Sequence, residues 1–189
     1  MKYLLVLLLV LPSVLQAKEK EFVELQSRIT KMHYDYKLND DFTVETLSEF
    51  EMKVLSDEMA KRIKKRSFSH STSIEKLEVL EAYTLKANGK KIKVPKDNYQ
   101  VTVNKGKAGA AAIFSDYTSI SIVFPDLEKN DSVYYRLKRT EKKPMFPGHF
   151  SVSNFYYNQT AYDDVQVRFD LPESLEFKYQ ARQMKEKSY

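Results

Sequence analysis

The stretch Val123–Phe150, VFPDLEKNDSVYYRLKRTEKKPMFPGHF, carries the clearest structural signals in this chain. It reads as the end of one strand, a tight acidic turn, a tyrosine-rich strand and a loop bracketed by prolines. Val133, Tyr135 and Leu137 alternate with other residues, which is the period-two pattern of a half-buried β-strand. Since nothing in the stretch resembles a catalytic constellation, it predicts architecture rather than chemistry.

The same alternation appears upstream, where two hairpins are predicted. The runs 32–38 and 42–54 alternate apolar and polar residues around the turn cluster Asn39-Asp40-Asp41, which indicates two strands joined by a short turn. Asn88-Gly89 is a strong hairpin signal, because both turn positions accept a positive φ. We therefore predict a strand over about 74–87, although part of its pattern also fits a helix.

The remaining segments complete the prediction of a mainly β fold. One short helix is expected, with Ser56 as its N-cap and its end near Arg66. Strand signals that recur about every ten to twenty residues, with polar turns between them, favour an antiparallel β-sandwich. The further strands are predicted at Tyr99–Val103, Ile120–Phe124, Val133–Leu137, Phe150–Asn154, Val165–Phe169 and Leu175–Tyr179.

The N-terminus has the layout of a cleavable secretory signal peptide. Lys2 precedes an unbroken aliphatic run, and Ala17 offers a small residue for cleavage. A spanning helix would need about 20 apolar residues, which is longer than this run. We expect export, with the periplasm as the destination. The predicted organisation is a signal peptide over 1–17, a charged leader over 18–27, a β-sandwich over 28–182 and a tail or linker over 183–189.

Composition limits the chemistry that this chain can perform. The 189 residues include no cysteine, which removes thiol nucleophiles and cysteine-based metal sites. The net charge of +5 comes from interspersed residues of both signs, and no nucleic-acid partner is expected. The GxxG match at 106–109 lies in a β context and is interpreted as a loop. The basic run 61–66 is interpreted as a solvated face, with contact to a membrane surface as the less favoured alternative.

The histidines and serines give little support to catalysis. His33, His70 and His149 are far apart in sequence and form no metal-ligand motif, so no metal and no cofactor are predicted. His70 lies next to Ser71, but the GxSxG elbow of a serine hydrolase is missing. We predict no catalytic residue and keep a hydrolase built on Ser71 and His70 as a remote alternative.

The loop Pro144–Phe150 is the one place where a binding function is expected. Two prolines stiffen it, and Gly148 permits a turn. The candidate binding residues, which could form a contact patch for a partner, are Met145, Phe146, His149 and Phe150. The alternative that we favour at this point is that the apolar side chains plug one end of the sandwich core.

Three stretches together resemble a known bacterial family. They are SHSTSIEKLEVLEAYTLKANGKKIKVPKDNY from Ser69, FSDYTSISIVFPDLEKNDSVYYRLKRT from Phe114 and MFPGHFSVS from Met145. They look like domain of unknown function 3857, an extracytoplasmic β-sandwich that usually stands directly before a transglutaminase-like domain. The resemblance covers about 28–182, and the VFPDLEKNDSVYYR segment is its most specific part.

The resemblance implies a partner more than an activity. The transglutaminase-like neighbour carries a Cys–His–Asp triad, and no position of this cysteine-free chain can take over that role. The chain is either a stand-alone copy or the front part of a longer or split protein. The leading hypothesis is a non-enzymatic exported domain that binds or positions a protein or peptide partner, such as a transglutaminase-like or protease-like domain. The alternative is a carbohydrate- or cell-wall-binding module.

Overall fold

Two β-sheets, packed face to face, form the fold. The computed structural model describes residues 25–103, 116–157, 160–182 and 184–187. A seven-stranded sheet and a three-stranded sheet enclose the core. The predicted signal peptide, residues 18–24 of the predicted leader and the GxxG match at 106–109 lie outside the described residues. No helix in the described ranges is long and apolar enough to cross a membrane.

Strands account for most of the regular structure in the described residues. One α-helix, α1 (Asp57–Ile63), and a single 3-10 turn (Lys96–Asn98) complete it. In chain order, the strands are β1 (Ser27–Leu38), β2 (Val44–Val54), β3 (Lys65–Ser71), β4 (Glu75–Leu85), β5 (Lys91–Lys93), β6 (Tyr99–Val103), β7 (Tyr117–Val123), β8 (Ser132–Glu141), β9 (Ala161–Tyr162) and β10 (Val165–Asp170).

The sheet topology confirms the predicted class and adds a parallel edge. The larger sheet has the order β10-β1-β2-β8-β4-β5, with β9 also paired to β1, and the smaller sheet has the order β3-β7-β6. Both predicted hairpins form, since β1 pairs with β2 and β4 pairs with β5 in antiparallel fashion. However, β9 and β10 run parallel to β1. The prediction of a mainly β fold with antiparallel-dominated sheets is therefore confirmed, and the edge at β1 is an exception to the antiparallel pattern.

The core lies between the inner faces of the two sheets. Phe124 and Ile122 at the end of the smaller sheet are fully buried. Across the core, the ring of Phe68 on β3 meets the edge of Tyr135 on β8 at a centroid distance of 4.9 Å. Tyr135 in turn stacks on Phe50 of β2 at 5.0 Å. These contacts place β3 above β8, which matters for the surface described below.

The helix ends earlier than predicted, and a strand follows it. Ser56 caps the helix as expected, because its hydroxyl accepts the Met59 N–H at 3.1 Å. The helix stops at Ile63, and Lys65 already pairs with β7. The predicted helix end at Arg66 was wrong by three residues, and residues 65–71, for which no strand was predicted, form the edge strand β3, in which Phe68 and His70 point to one face and the serines between them to the other.

Two predicted strands are extended but unpaired. Residues 150–154 keep the expected alternation of half-buried and exposed side chains and 175–178 do so up to the exposed Tyr179, yet neither segment is part of a β-ladder. Period-two burial reflects packing against a surface, whereas a strand also needs hydrogen-bonded neighbours. Both segments lie beside the larger sheet, and among the described residues the one backbone–backbone hydrogen bond that they make is the local bond from the Leu175 N–H to the Pro172 carbonyl.

The acidic turn between β7 and β8 is held by the buried carboxylate of Asp131. This carboxylate accepts hydrogen bonds from Lys86 Nζ at 2.7 Å and from the backbone N–H groups of Ala87 and Glu128, both at 2.9 Å. Burial pushes the pKa of Asp131 upward, but these donors outweigh it and leave the pKa below its ordinary value. The turn is thereby fixed to the end of β4.

Two further contacts seat the same turn on its neighbours. Thr84, which is fully buried, donates from its hydroxyl to the Pro125 carbonyl at 2.6 Å. The Val54 N–H donates to the Asp131 carbonyl at 2.8 Å, and the Asn130 N–H donates to the Val54 carbonyl at 2.8 Å. The crossing from the smaller to the larger sheet is therefore tied to β2 as well as to β4.

Replacing Asp131 with asparagine should weaken the fold strongly. The Asp131 side chain is 3% exposed and Lys86 is 19% exposed, so the change leaves the half-buried ammonium with only the exposed carboxylate of Glu128 and takes the charged acceptor from two backbone N–H groups. We expect the free energy of unfolding, measured by urea denaturation, to fall by about 3 kcal/mol. The matched control is Glu128→Gln, whose carboxylate also bonds Lys86 but is 76% exposed. That change should cost less than about 0.5 kcal/mol, and equal losses in the two variants would contradict this account.

Candidate functional site

The larger sheet extends beyond the smaller one, and its surplus inner face is covered by other segments. The Arg139 guanidinium of β8 donates to the Ser69 carbonyl of β3 at 3.3 and 3.4 Å, which again places β3 above β8. In the larger sheet, β2, β1 and β10 follow β8 in that order. Tyr36 and Phe169, on the inner face of β1 and β10, contact residues from outside both sheets, as described next.

A chain of aromatic rings runs across this surplus face. Tyr36 stacks on Phe169 at 5.4 Å, and Phe177 lies 5.1 Å from Phe169. Phe150 approaches both phenylalanines, at 6.4 and 6.2 Å, and Tyr179 stacks on Phe177 at 5.9 Å. Such ring pairs add to the gain from apolar burial. They dock residues 150 and 177–179 onto strands β1 and β10.

The segment 150–157 lies over β1. The Tyr36 hydroxyl donates to Asn154 Oδ1 at 3.2 Å, and burial raises the pKa of Tyr36. Tyr156 meets Tyr162 of β9 edge-on at 5.7 Å. Residues 150, 152, 154 and 156 are half-buried, and the residues between them are exposed. The segment is therefore extended, with one side on the sheet and the other towards solvent.

The two docked segments border a large groove, which we call the aromatic groove. It has a volume of about 1630 Å³ and is lined by parts of β1, β2, β8 and β10, by residues 148–156 and by residues from 171 to 187. A smaller cavity of about 260 Å³ lies beside it and is lined by Thr46, Arg139, Phe150 and Val152 among others. A volume of this size can hold several residues of a peptide.

The structure places the four predicted binding residues around these two cavities. Phe150 and His149 line both, and Met145 and Phe146 line the smaller one. Met145 is 63% exposed and Phe146 is 64% exposed, so the favoured interpretation of these two side chains as a core plug was wrong. The tight turn, in which the His149 N–H donates to the Phe146 carbonyl and Gly148 has a φ of +69°, directs them away from the core. Only Phe150 packs inward.

Two exposed aromatic residues at the groove, Phe155 in its lining and Tyr157 directly after it, were not singled out from the sequence. Phe155 is 79% exposed and Tyr157 is 74% exposed, although they are large aromatic side chains on one side of one segment. The signal was present in the run NFYY, where two aromatic residues alternate with Asn154 and Tyr156. It could not be interpreted without knowing that the segment has no strand beside it.

The Ser71–His70 pair does not form a catalytic dyad. Neighbouring residues of a strand point to opposite faces, so the side chains of His70 and Ser71, which are both buried, leave β3 on opposite sides. The Ser71 hydroxyl donates to the Asp116 carboxylate, which also accepts from Ser73 at 2.6 Å. These hydroxyls lower the pKa of Asp116 to about 2. The serine hydroxyl is thus held by a carboxylate on the side of β3 that faces away from the His70 imidazole.

The histidines occupy separate surroundings. His33 lies on the outer face of the larger sheet with Nε2 2.7 Å from Asp164 Oδ2, and His149 lies in the exposed loop. Among the residues that the structure describes, no three histidine, aspartate or glutamate side chains stand close enough to hold a metal ion.

Comparison with known proteins gives a family and a fold. The family model of DUF3857, described as a domain of unknown function with a solved structure, matches residues 40–188. The crystal structure of a candidate protease from Parabacteroides distasonis ATCC 8503 superposes with a TM-score of 0.66 at 16% identity, over 78% of this chain. The chain spans only 29% of that protein's length.

A second structure is more distant. The CBM3a-L domain with flanking linkers from the scaffoldin CipA of the Clostridium thermocellum cellulosome aligns with 71% of this chain and 82% of its own, at 14% identity. Its TM-score of 0.37 is too low to indicate a shared fold. A search of curated proteins found no match.

Buried His70 should make the stability of the protein depend on pH. Burial lowers the pKa of His70 below the ordinary value of 6.5, and Nδ1 has no hydrogen-bond partner among the described atoms. The unfolded chain then binds the proton first, so stability is full above pH 6.5 and falls as the pH is lowered through the folded-state pKa. We expect His70→Gln to make the unfolding free energy depend less steeply on pH between pH 6.5 and 5. The slope against pH should fall by at most about 1.4 kcal/mol per pH unit.

A substitution of a neighbouring core residue without a titratable group provides the control for that titration. Phe68→Leu should lower the unfolding free energy at every pH but keep the slope of the unmodified protein, because it removes no titratable side chain from the core. Urea denaturation at a series of pH values measures both variants. A His70→Gln slope equal to that of the unmodified protein would show that His70 does not titrate differently in the folded state.

Proposed function

The chain belongs to the DUF3857 family, and from this premise we propose that it is a non-enzymatic, exported accessory domain whose aromatic groove binds a polypeptide partner. The periplasm is the compartment that we propose for it. Its part would be to bind or position the partner rather than to transform a substrate.

The observation that carries this proposal is the clustering of exposed apolar side chains. Within the described residues, twelve large apolar side chains are exposed, and six of them line the two cavities. These six are Met145, Phe146, Phe155, Phe169, Tyr179 and Met184, and Tyr157 directly follows a lining segment. Apolar side chains gathered in one region are typical of a binding surface, whereas scattered ones are ordinary.

The proposal that the chain has no catalytic activity of its own rests on its residue types and their positions. The chain has no cysteine, and the one adjacent serine and histidine point to opposite sides of β3. The aromatic groove contains apolar side chains, hydroxyls and ion pairs. In one of these pairs, Arg168 Nη1 lies 3.2 Å from Asp35 Oδ1. His149, Ser151 and Ser153 also line the groove, but among the described contacts no hydrogen bond joins a serine hydroxyl to the His149 imidazole.

The partner class comes from the family rather than from the groove. The resemblance described from the sequence implies a transglutaminase-like neighbour, and the Parabacteroides distasonis candidate protease is a much longer protein than this chain. We propose that the partner is a transglutaminase-like or protease-like domain, carried either on another chain or on a longer form of this one. Such a partner would present a polypeptide segment to the groove.

A carbohydrate-binding role is the second candidate, and one observation favours it. Phe155 and Tyr157 are exposed on the same side of their segment, and exposed aromatic faces can stack on sugars. A groove bounded by two extended segments fits a polypeptide better, because the segments' backbone groups can pair with another backbone. Retention on peptidoglycan and glycan resins is the observation that would favour the carbohydrate.

The aromatic side chains should be required for partner capture. We expect the double variant Phe155→Ser/Tyr157→Ser to lose at least about tenfold in crosslinked partner recovered from a periplasmic fraction, because central aromatic contacts supply most of the binding energy of an interface. Mass spectrometry of the captured band should identify a transglutaminase-like or protease-like protein.

A variant of equal character elsewhere on the surface serves as the control. Val101→Ser/Val103→Ser removes two side chains that are 63% and 57% exposed on β6, outside the groove. This variant should capture as much partner as the unmodified protein. Equal capture by all three proteins would refute the proposed site, and glycan retention that depends on Phe155 and Tyr157 would favour the carbohydrate-binding function instead.

A further inference from the structure

We infer that the partner binds as an extended strand, added beside residues 150–156, and that this strand is acidic with apolar side chains at alternate positions. This inference rests on the proposed function and specifies how the polypeptide is held. It assigns a role to the backbone of 150–156, which neither the family nor the sequence motifs indicate.

The first argument is the unpaired backbone of this segment. Residues 150–157 alternate between half-buried and exposed, as a strand does. Towards the other described residues, no backbone N–H or C=O of 150–156 makes a hydrogen bond. A row of unpaired backbone groups in an extended segment is a template for another strand, and peptide recognition by strand addition uses such a row.

The second argument is the space beside the segment. Residues 150–156 lie over β1, and β3 lies over β8, with β2 between β1 and β8 in the sheet below. Neighbouring strands are about 4.8 Å apart, so two segments above β1 and β8 are separated by about 10 Å, which leaves room for one strand between them. The inner face of β2 carries half-buried Thr46 and Ser48 there, and the smaller cavity opens over Thr46.

The third argument is the charge around the site. The carboxylates of Asp35, Glu45 and Glu176 are already paired with neighbouring cations. Within the described residues, three cations of the C-terminal segment that line the aromatic groove form no ion pair, namely Arg182, Lys185 and Lys187, against two groove-lining carboxylates that form none, those of Asp170 and Glu186. A partner strand with aspartate or glutamate at its ends would complement these cations, because opposite charges at the rim of an interface speed its formation and select the partner.

The side-chain pattern of the partner follows from the surfaces above and below the gap. Its inward side chains would meet the inner face of β2 and the rings of Phe150 and Tyr36, so apolar residues are expected there. Its outward side chains would lie next to Phe155 and Tyr157, which project from the same layer. A strand with apolar residues at every second position satisfies both conditions.

A random library of displayed 12-residue peptides tests the inference on the full chain. Selection should enrich peptides with apolar residues at alternate positions and acidic residues at one or both ends. The best peptide is then synthesised with single N-methyl groups along its backbone, each of which removes one donor. For a bound strand, N-methylation at one alternate set of positions should weaken binding at least about tenfold, while the other set should stay within about threefold.

Charge-reversal variants test the acidic preference separately. Lys185→Glu/Lys187→Glu should weaken the same peptide about tenfold. Lys93→Glu/Lys96→Glu, which reverses two exposed lysines near β5, should leave its binding unchanged. Circular dichroism and urea denaturation check that both variants fold.

The outcomes separate the inference from the proposed function. One outcome is that selected peptides bind and require Phe155 and Tyr157, but the loss of affinity on N-methylation does not alternate along the peptide. That outcome would overturn strand addition and leave the groove as a polypeptide site. Enriched peptides that are basic, or that bind Lys185→Glu/Lys187→Glu equally well, would overturn the acidic preference. A library that yields no peptide bound above the Phe155→Ser/Tyr157→Ser variant would overturn both proposals.

Discussion

The buried carboxylate of Asp131 fixes the point at which the chain passes from the smaller sheet to the larger one. Its donors come from the end of β4 and from its own turn, and its carbonyl accepts from the last residue of β2. The tyrosine-rich strand β8, which begins at the next residue, is thereby set between β2 and β4. Because β8 pairs with both neighbours, the register of the larger sheet depends on this turn.

The placement of β8 determines where the smaller sheet lies and where it does not. Tyr135 and Arg139 of β8 contact Phe68 and the Ser69 carbonyl, which holds β3 above β8. The inner face of β1 and β10 therefore extends past β3, and segments without backbone pairing cover it. The aromatic groove is thus a consequence of two sheets of unequal width rather than of a special loop.

The sequence allowed much of the fold to be predicted and little of the site. The hairpins at 39–41 and 88–89 follow from local turn chemistry and strict alternation, which act between neighbouring residues. The strand β3 was missed because its outward positions are serines, and the segment 175–179 was predicted as a strand because alternation does not reveal whether a partner strand exists. The parallel pairing of β10 with β1 depends on contacts more than 130 residues apart in the chain, as in the pair Met32–Val165, and no local pattern reports it.

The loop 144–150 shows the same limit at the candidate site. Its prolines and glycine predicted a stiff turn, which the structure has, but the direction of Met145 and Phe146 depends on how the loop meets the sheet.

The central claim is that the second layer is incomplete over β2, between residues 150–156 and β3, and amide hydrogen exchange of the free protein tests it most directly. The amides of 150–156 should exchange nearly as fast as an unfolded peptide while those of β1 beneath them are protected. Protection of 150–156 equal to that of β3 would contradict the account, since it would mean that a strand already pairs with them.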